Sequence, residues 1–287
     1  MLISKFMTSL REVFEDTRST LSELYEPREA GNIAFELIAH FFEVSKTDIL
    51  LNKSTDKNPE KFEKALEKLK KNEPLQYVLG TSHFCGLDLS LSCHVLIPRP
   101  ETEELVHWAA STFQSMGSLK VLDIGSGSGC IALAIKSLCP NASVLGLDVS
   151  VRAVEIARQN ANRNQLDVEF WQGDFLYDEE LEYPLFDALV SNPPYIPTSE
   201  KHLVGAQVWK YEPHLALFTS DQDPLIFYRA IARRAHHILK TKGWIFVETN
   251  EHNAPLVAQL FAEMGLQNIV LKQDMQGKNR MIKAQKI

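Results

Sequence analysis

The chain predicts an α/β fold, a mostly parallel sheet with helices on both faces, preceded by a small all-α domain. Three observations carry this expectation. Strands and helices alternate after Gly117, residues before Pro74 show only helical periodicity, and a glycine-rich turn sits at the first strand-to-helix junction of the alternating part. At 287 residues the chain is long enough for two domains of ordinary size. A hydrophobic share of 45% and a charged share of 23% are those of a globular protein and exclude wholesale disorder. No membrane-length apolar run is present, and neither a secretory signal nor membrane association is expected. Thirty basic against 37 acidic residues leave a net charge of −7, which argues against stable nucleic-acid binding. Cys85, Cys93, Cys130 and Cys139 form no C-x-x-C pair, as expected of reduced thiols in a cytoplasmic protein. The nine histidines lack metal-ligand spacing, so no metal is expected.

The elements follow in order. Phe6, Leu10, Val13, Phe14 and Leu21 recur on one helical face, and Ile33, Ala34, Leu37, Ile38 and Phe41 repeat the pattern. A third helix is expected from Pro59 to about Lys71, with Glu60–Lys64 and Glu67–Lys71 in the stabilising order. Its seven lysines from Lys53 to Lys71 share the stretch with five acidic residues from Asp56 to Glu73, the pattern of a solvated face. Short alternating stretches around Gly86 predict a β-hairpin within Ser82–Leu96. It is read as a connector, residues 81–99, between a helical substrate-docking domain, residues 1–80, and the α/β domain, residues 100–287. After Pro98-Arg99-Pro100, the residues Glu101, Thr102 and Glu103 open a helix with acidic side chains at the positive end of its dipole. Strands are expected at Lys120–Ile124, Ser143–Leu147, Asp167–Trp171, Phe186–Val190 and Trp244–Glu248. Helices are expected at Ile131–Leu138, from Ser150 to about Asn162, at Leu225–Leu239 and at Pro255–Met264. Asn268–Leu271 and Met281–Ala284 close the sheet as a C-terminal antiparallel hairpin.

The glycine turn reads Asp123-Ile124-Gly125-Ser126-Gly127-Ser128-Gly129. Glycines there let the backbone bend tightly and approach a ligand without Cβ interference. Asp148 ends the next strand, placed to accept hydrogen bonds from ribose hydroxyls. A dinucleotide fingerprint would need glycine where Cys130 stands, and Asp123 would repel a pyrophosphate. An acid at that position suits a cation instead, such as the ammonium of S-adenosylmethionine. The arrangement resembles motif I of class I S-adenosylmethionine-dependent methyltransferases. By that resemblance Asp174 takes the exocyclic amine of adenine and Phe175 covers a base face.

Ser191-Asn192-Pro193-Pro194-Tyr195 directly follows an apolar strand. It resembles the motif of enzymes that methylate nitrogen attached to a planar conjugated system. Such a nitrogen is a poor nucleophile because its lone pair is delocalised. The Asn192 side-chain carbonyl and the Pro193 main-chain carbonyl can bind its two hydrogens and support the positive charge that grows during attack. Pro193 and Pro194 stiffen the turn, and Tyr195 can stack on the planar group to hold it in line. The motif by itself fits protein glutamine, DNA adenine and the exocyclic amine of ribosomal RNA guanine.

Other segments narrow the choice. Pro74-Leu75-Gln76-Tyr77-Val78-Leu79-Gly80, then Phe84 with Gly86, then Leu96-Ile97-Pro98-Arg99-Pro100-Glu101-Thr102-Glu103 closely resemble one family, as do Tyr211-Glu212-Pro213 and Ala216-Leu217. It is the peptide chain release factor glutamine methyltransferases of the HemK or PrmC type. The resemblance implies a Rossmann-like domain that methylates the glutamine side chain in the Gly-Gly-Gln tripeptide of class-1 release factors. It implies S-adenosylmethionine as cofactor and S-adenosylhomocysteine as product. Carried over, Asp123, Gly125, Ser126, Gly127, Ser128, Gly129, Asp148, Asp174, Phe175 and Asn192 bind the cofactor. Asn192, Pro193, Pro194 and Tyr195 hold the glutamine, with Asn192, Pro193 and Tyr195 as the catalytic set. This chain departs from the family pattern at Phe175, where tryptophan is common, along Phe218-Thr219-Ser220-Asp221, and at Asn250, where glycine is usual.

Overall fold

Helices with one apolar face build the amino-terminal part of the chain. The structure, a computed structural model, describes residues 8–55, 60–114, 116–178 and 183–287. Phe6 and the expected helix start at Pro59 lie outside those residues. The chain divides into two compact units, Met1–Gly80 and Thr81–Ile287. The first holds α1 (Leu10–Leu21), α2 (Pro27–Phe42), α3 (Lys46–Leu50), α4 (Glu60–Lys70) and α5 (Leu75–Leu79). Ser9 starts α1 by accepting a hydrogen bond from the Glu12 amide at 3.2 Å, and Ser45 with Asp48 forms a capping box on α3. Leu10, Phe14 and Leu21 meet Ile33, Leu37 and Ile38 in one buried cluster, as the periodicity requires. α3 and α5 leave no periodic mark in the sequence because five residues are too few to show a helical period. On the solvated side of α4, Glu67 pairs with Lys70 at 2.6 Å.

In the second unit, Cys85 and Gly86 both have positive φ (47° and 80°), the turn that matches the twist of a two-residue hairpin. The hairpin strands Thr81–Phe84 and Leu87–Ser90 pair antiparallel. Expected as a connector, this hairpin is part of the larger unit. Phe84, Leu87 and Leu89 are buried in the same cluster as Leu105 and Val106 of α6 (Pro100–Phe113) and Ile131 of α7 (Cys130–Leu138). Asn160, fully buried on α8 (Val151–Arg163), fastens it further. Its side chain accepts from the Ser90 amide at 2.6 Å and donates to the carbonyls of Ser90 (3.1 Å) and Ser128 (2.9 Å).

The main sheet contains β1 (Lys120–Ile124), β2 (Ser143–Asp148), β3 (Glu169–Gln172), β4 (Phe186–Ser191), β5 (Leu239–Glu248), β6 (Gln267–Gln273) and β7 (Asn279–Gln285). These seven strands lie in the order β3-β2-β1-β4-β5-β7-β6. The strands β1 to β5 run parallel, and β7 lies antiparallel to both β5 and β6. This is the expected mostly parallel sheet with its closing hairpin. β5 starts at Leu239, earlier than Trp244, through a register shift between those two residues. Gly243 permits it, since a Cβ there would stand 2.6 Å from Leu239 Cγ.

α9 (Ala206–Tyr211) and α10 (His214–Leu217) follow β4, then α11 (Ile226–Ile238) and α12 (Ala254–Glu263) flank β5. One buried cluster contains α6, α7 and α8 residues, and the other contains Tyr228 and Ile231 of α11 and Val257 of α12. Apolar residues of the strands are shared between the two, so helices cover both faces. The strand order reverses between β1 and β4, and the loops leaving those strands open a crevice at the carboxyl edge.

Candidate active site

The loop after β1 is held by main-chain bonds. The amides of Gly125 and Ser126 both donate to the Leu147 carbonyl, at 2.8 and 2.9 Å, folding the loop over the end of β2. Asp148 completes the arrangement: Oδ2 accepts from the Gly127 amide at 2.8 Å and Oδ1 from the Ser150 amide at 2.9 Å. Burial raises the Asp148 carboxyl above its ordinary range, opposed by these two bonds. Gly127 has φ +53°, and a Cβ built there meets nothing within 4 Å. It lines the cavity, so a side chain at that position would take up space a ligand needs. Gly129 has another reason: its Cβ would stand 2.9 Å from Phe170 Cζ, where the start of α7 packs onto β3.

A cavity of about 260 Å³ opens beside this loop. It brings together Gly125, Gly127, Asp148, Asp174, Phe175 and Asn192, with Pro193 and Pro194. Asp174 is held by the Leu176 amide on Oδ1 at 2.8 Å. Phe175 is 6% exposed and belongs to the core, yet it reaches the cavity wall; Arg234 lies 5.0 Å from its ring centroid.

The remaining expected cofactor residues do not line the cavity. Asp123 is fully buried, its Oδ2 accepting from the Ala132 amide in the first turn of α7 at 3.1 Å. Its Oδ1 has no hydrogen-bond partner among the described residues, nor do the buried hydroxyls of Ser126 and Ser128. Burial pushes the Asp123 carboxyl up to about 8, with nearby Asp148 adding to the rise. Gly129 caps α7 in the left-handed region.

At the end of β4, Ser191 Oγ donates to the Ile124 carbonyl at 2.7 Å, tying β4 to β1. Asn192 Nδ2 donates to Thr102 Oγ1 at 3.1 Å, and Thr102 Oγ1 donates to Glu248 Oε2 at 2.6 Å. With its NH₂ engaged, Asn192 has Oδ1 left to offer the cavity. Tyr195 is not in the cavity wall. Its ring packs on the second core cluster, burial holds its phenol neutral, and its carbonyl receives long contacts from Asn250 and Asn253, both 3.4 Å.

Residues missed as site components also line the wall, among them Val95, Leu96, Pro213, Leu215, Ala216 and Phe227. Glu212, 4% exposed, joins two of these segments, accepting from the Ile97 amide at 3.2 Å and pairing with Arg99. Apart from the family-like segments, nothing in the local sequence marks these positions, since their role depends on distant partners. The departures from the family pattern also find partners. Phe218–Thr219 pairs in parallel with Ile196–Pro197, Asp221 Oδ1 accepts from the Ser199 amide at 2.7 Å, and Asn250 Oδ1 accepts from the Asn253 amide at 2.7 Å before α12.

Comparison with known proteins agrees with this architecture. A family model described as PrmC N-terminal domain matches residues 12–80, and one described as Methyltransferase small domain matches residues 107–210. A Flavobacterium psychrophilum protein named release factor glutamine methyltransferase is 37% identical over 289 residues, covering 99% of each chain. The chain belongs to the release factor glutamine methyltransferase family. It is an S-adenosylmethionine-dependent methyltransferase. The cavity lining fits such a cofactor: a strand-end carboxylate, open glycine backbone and an aromatic ring stand together on it. Solved structures add the fold. The hMettl16 catalytic domain, in complex with an RNA hairpin, has a TM-score of 0.59 at 14% identity, covering 94% of this chain and 91% of that one. A Thermus thermophilus 16S rRNA N2 methyltransferase, in complex with AdoMet and guanosine, has a TM-score of 0.51 at 21% identity, covering 72% and 50%. At those identities the likeness is one of fold and does not favour a nucleic-acid substrate.

Proposed function

We propose that this protein methylates the side-chain amide nitrogen of the glutamine in the Gly-Gly-Gln motif of class-1 peptide chain release factors. The observation that carries the reading is Asn192 lining the cavity beside Gly125 and Gly127, in a chain that matches a release factor glutamine methyltransferase along its length. Asp148, Gly125, Gly127, Asp174 and Phe175 would hold the cofactor, with Asp123, Ser126, Ser128 and Gly129 supporting the loop from beneath. S-adenosylmethionine, when bound, supplies an activated methyl group on a sulfonium. Asn192 Oδ1 and the Pro193 carbonyl accept hydrogen bonds from the glutamine NH₂, and these bonds strengthen as the nitrogen becomes positive. Pro193 and Pro194 fix the turn, so the acceptors need little reorganisation. Tyr195 supports the turn from the core side. The methylated nitrogen, now strongly acidic, loses its proton to solvent.

The helical unit, matching the PrmC N-terminal domain model, provides a separate folded body for docking the protein substrate. A release factor substrate places the protein in the cytoplasm. Among the described residues no helix is long and apolar enough to cross a membrane. Mass spectrometry of a Gly-Gly-Gln-bearing release factor after incubation with enzyme and cofactor tests the reading. Fragmentation should place one added CH₂ on the glutamine. An unmodified glutamine, or methylation of RNA or DNA in parallel incubations instead, overturns it.

A further inference from the structure

Glu248 ends β5 at 1% exposure, and Thr102 in the first turn of α6 is 2% exposed. Burying an ionisable group is unfavourable unless it is well bonded, and the reaction described above gives Glu248 no task. The hydrogen bonds through it run in one direction. Thr102 Oγ1 donates to Glu248 Oε2 at 2.6 Å. A hydroxyl has one proton, so Thr102 has none left for Asn192 and can only accept. The amide nitrogen of Asn192 answers that requirement at 3.1 Å.

We propose that Glu248 and Thr102 are positioning residues: the carboxylate, acting through the hydroxyl, sets which way round the Asn192 amide stands, so that an acceptor meets the substrate NH₂. The inference rests on the methyl-transfer reading and deepens it. Reversal is chemically available. A proton on Glu248 Oε2 would donate to Thr102, the hydroxyl would donate onward, and Asn192 would turn its oxygen to Thr102. Its NH₂ would then oppose the substrate NH₂, donor against donor.

The surroundings put this reversal within reach. Burial pushes the Glu248 carboxyl up to about 7, opposed by the Thr102 bond and then by Arg280 on β7, with Glu101 raising it and Arg99 lowering it near the start of α6. Tyr195 and Tyr228 also face it, both phenols held neutral by burial. The working form is the charged one, so turnover falls as pH drops below about 7.

The test uses full-length Thr102→Val, Thr102→Ser and Glu248→Gln with a class-1 release factor. Thr102→Val should lower kcat about 10- to 100-fold, the usual scale for losing a group that orients a reacting one. KM for the release factor and cofactor affinity by titration calorimetry should change by less than about twofold. Thr102→Ser should recover most of kcat, and Glu248→Gln should flatten the acid limb of the wild-type pH profile. A readout independent of turnover is the side-chain NH₂ resonance of Asn192 in the ¹⁵N spectrum of the cofactor-free protein. It should shift in Thr102→Val and move with pH in the wild type, with the midpoint seen in kcat/KM, which reports the free enzyme. Wild-type kcat in Thr102→Val overturns the relay and leaves the proposed function standing. Absence of release factor methylation by the wild type overturns that function, and the ¹⁵N spectra then judge the relay alone. Should Thr102→Val fail to fold, an Asn192 resonance that ignores pH in the wild type overturns the relay.

Discussion

The loops after β1 and β4 lie side by side at the carboxyl edge of the sheet, and they are held in different ways. In the glycine loop the anchors are main-chain amides, bonded at Gly125 and Ser126 to the Leu147 carbonyl and at Gly127 to a carboxylate 21 residues away. In the Asn-Pro-Pro-Tyr turn the anchor is a side-chain relay, from Asn192 to Thr102 across 90 residues and from Thr102 to Glu248 across 146. The difference follows from what each half must do. A cofactor with many polar groups can be held by repeated backbone contacts. A single NH₂ needs one acceptor in one orientation, and an amide side chain can present either end. The orientation therefore has to be imposed from outside the turn.

The contrast can be broken first at Asn192. Asn192→Ala should slow methyl transfer roughly a hundredfold or more, the scale of losing one preorganised polar partner, while cofactor affinity stays nearly intact. Single-turnover kinetics beside titration calorimetry would show whether the two halves separate in this way. Near wild-type turnover would end the mechanism.

Asn160→Ala is expected to be the next largest effect. It removes the bonds to Ser90 and Ser128, leaves buried backbone groups without partners, and should cost about 2–3 kcal/mol in urea unfolding. A change well under 1 kcal/mol would mean that packing alone fastens the hairpin to the glycine loop. Asp148→Asn sharpens the comparison from the other side. Its neutral amide accepts more weakly than a carboxylate, so cofactor affinity should fall about tenfold, with kcat at saturating cofactor little changed. Equal loss in both parameters would show that the halves are coupled.

The last prediction concerns Asp123. Its carboxyl is raised from 3.8 to about 8 in the folded protein, so between those values the native state holds a proton that the unfolded state has lost. Stability contributed by the neutral acid is therefore present at low pH and declines as pH rises from about 4 to 8. Melting curves of Asp123→Asn should be flatter over that window than those of the wild type. Parallel curves would show that Asp123 is ionised when folded.

The glycine loop is legible in the sequence because its signal is local. Gly125, Gly127 and Asp148 sit on one strand-loop-helix-strand stretch, and both glycines and the acid line the cavity. The strands are legible for the same reason, as runs of apolar residues between turns. Local pattern alone does not place Tyr195, expected to stack on the substrate: its ring packs on the core and it does not line the cavity. Local pattern falls short at the wall formed by Leu96, Pro213 and Leu215, apolar residues that no neighbouring signal marks as lining a cavity.

The parallel sheet, the closing hairpin and the two loops that flank the crevice are dictated by the chain's own pattern, because strand period, turn glycines and prolines act on their neighbours. Which side of the Asn192 amide faces the cavity is settled only when the fold assembles. Thr102 and Glu248 reach that residue once α6 and β5 have packed around β4, and hydrogen-bond polarity across such distances leaves no periodic trace in a chain.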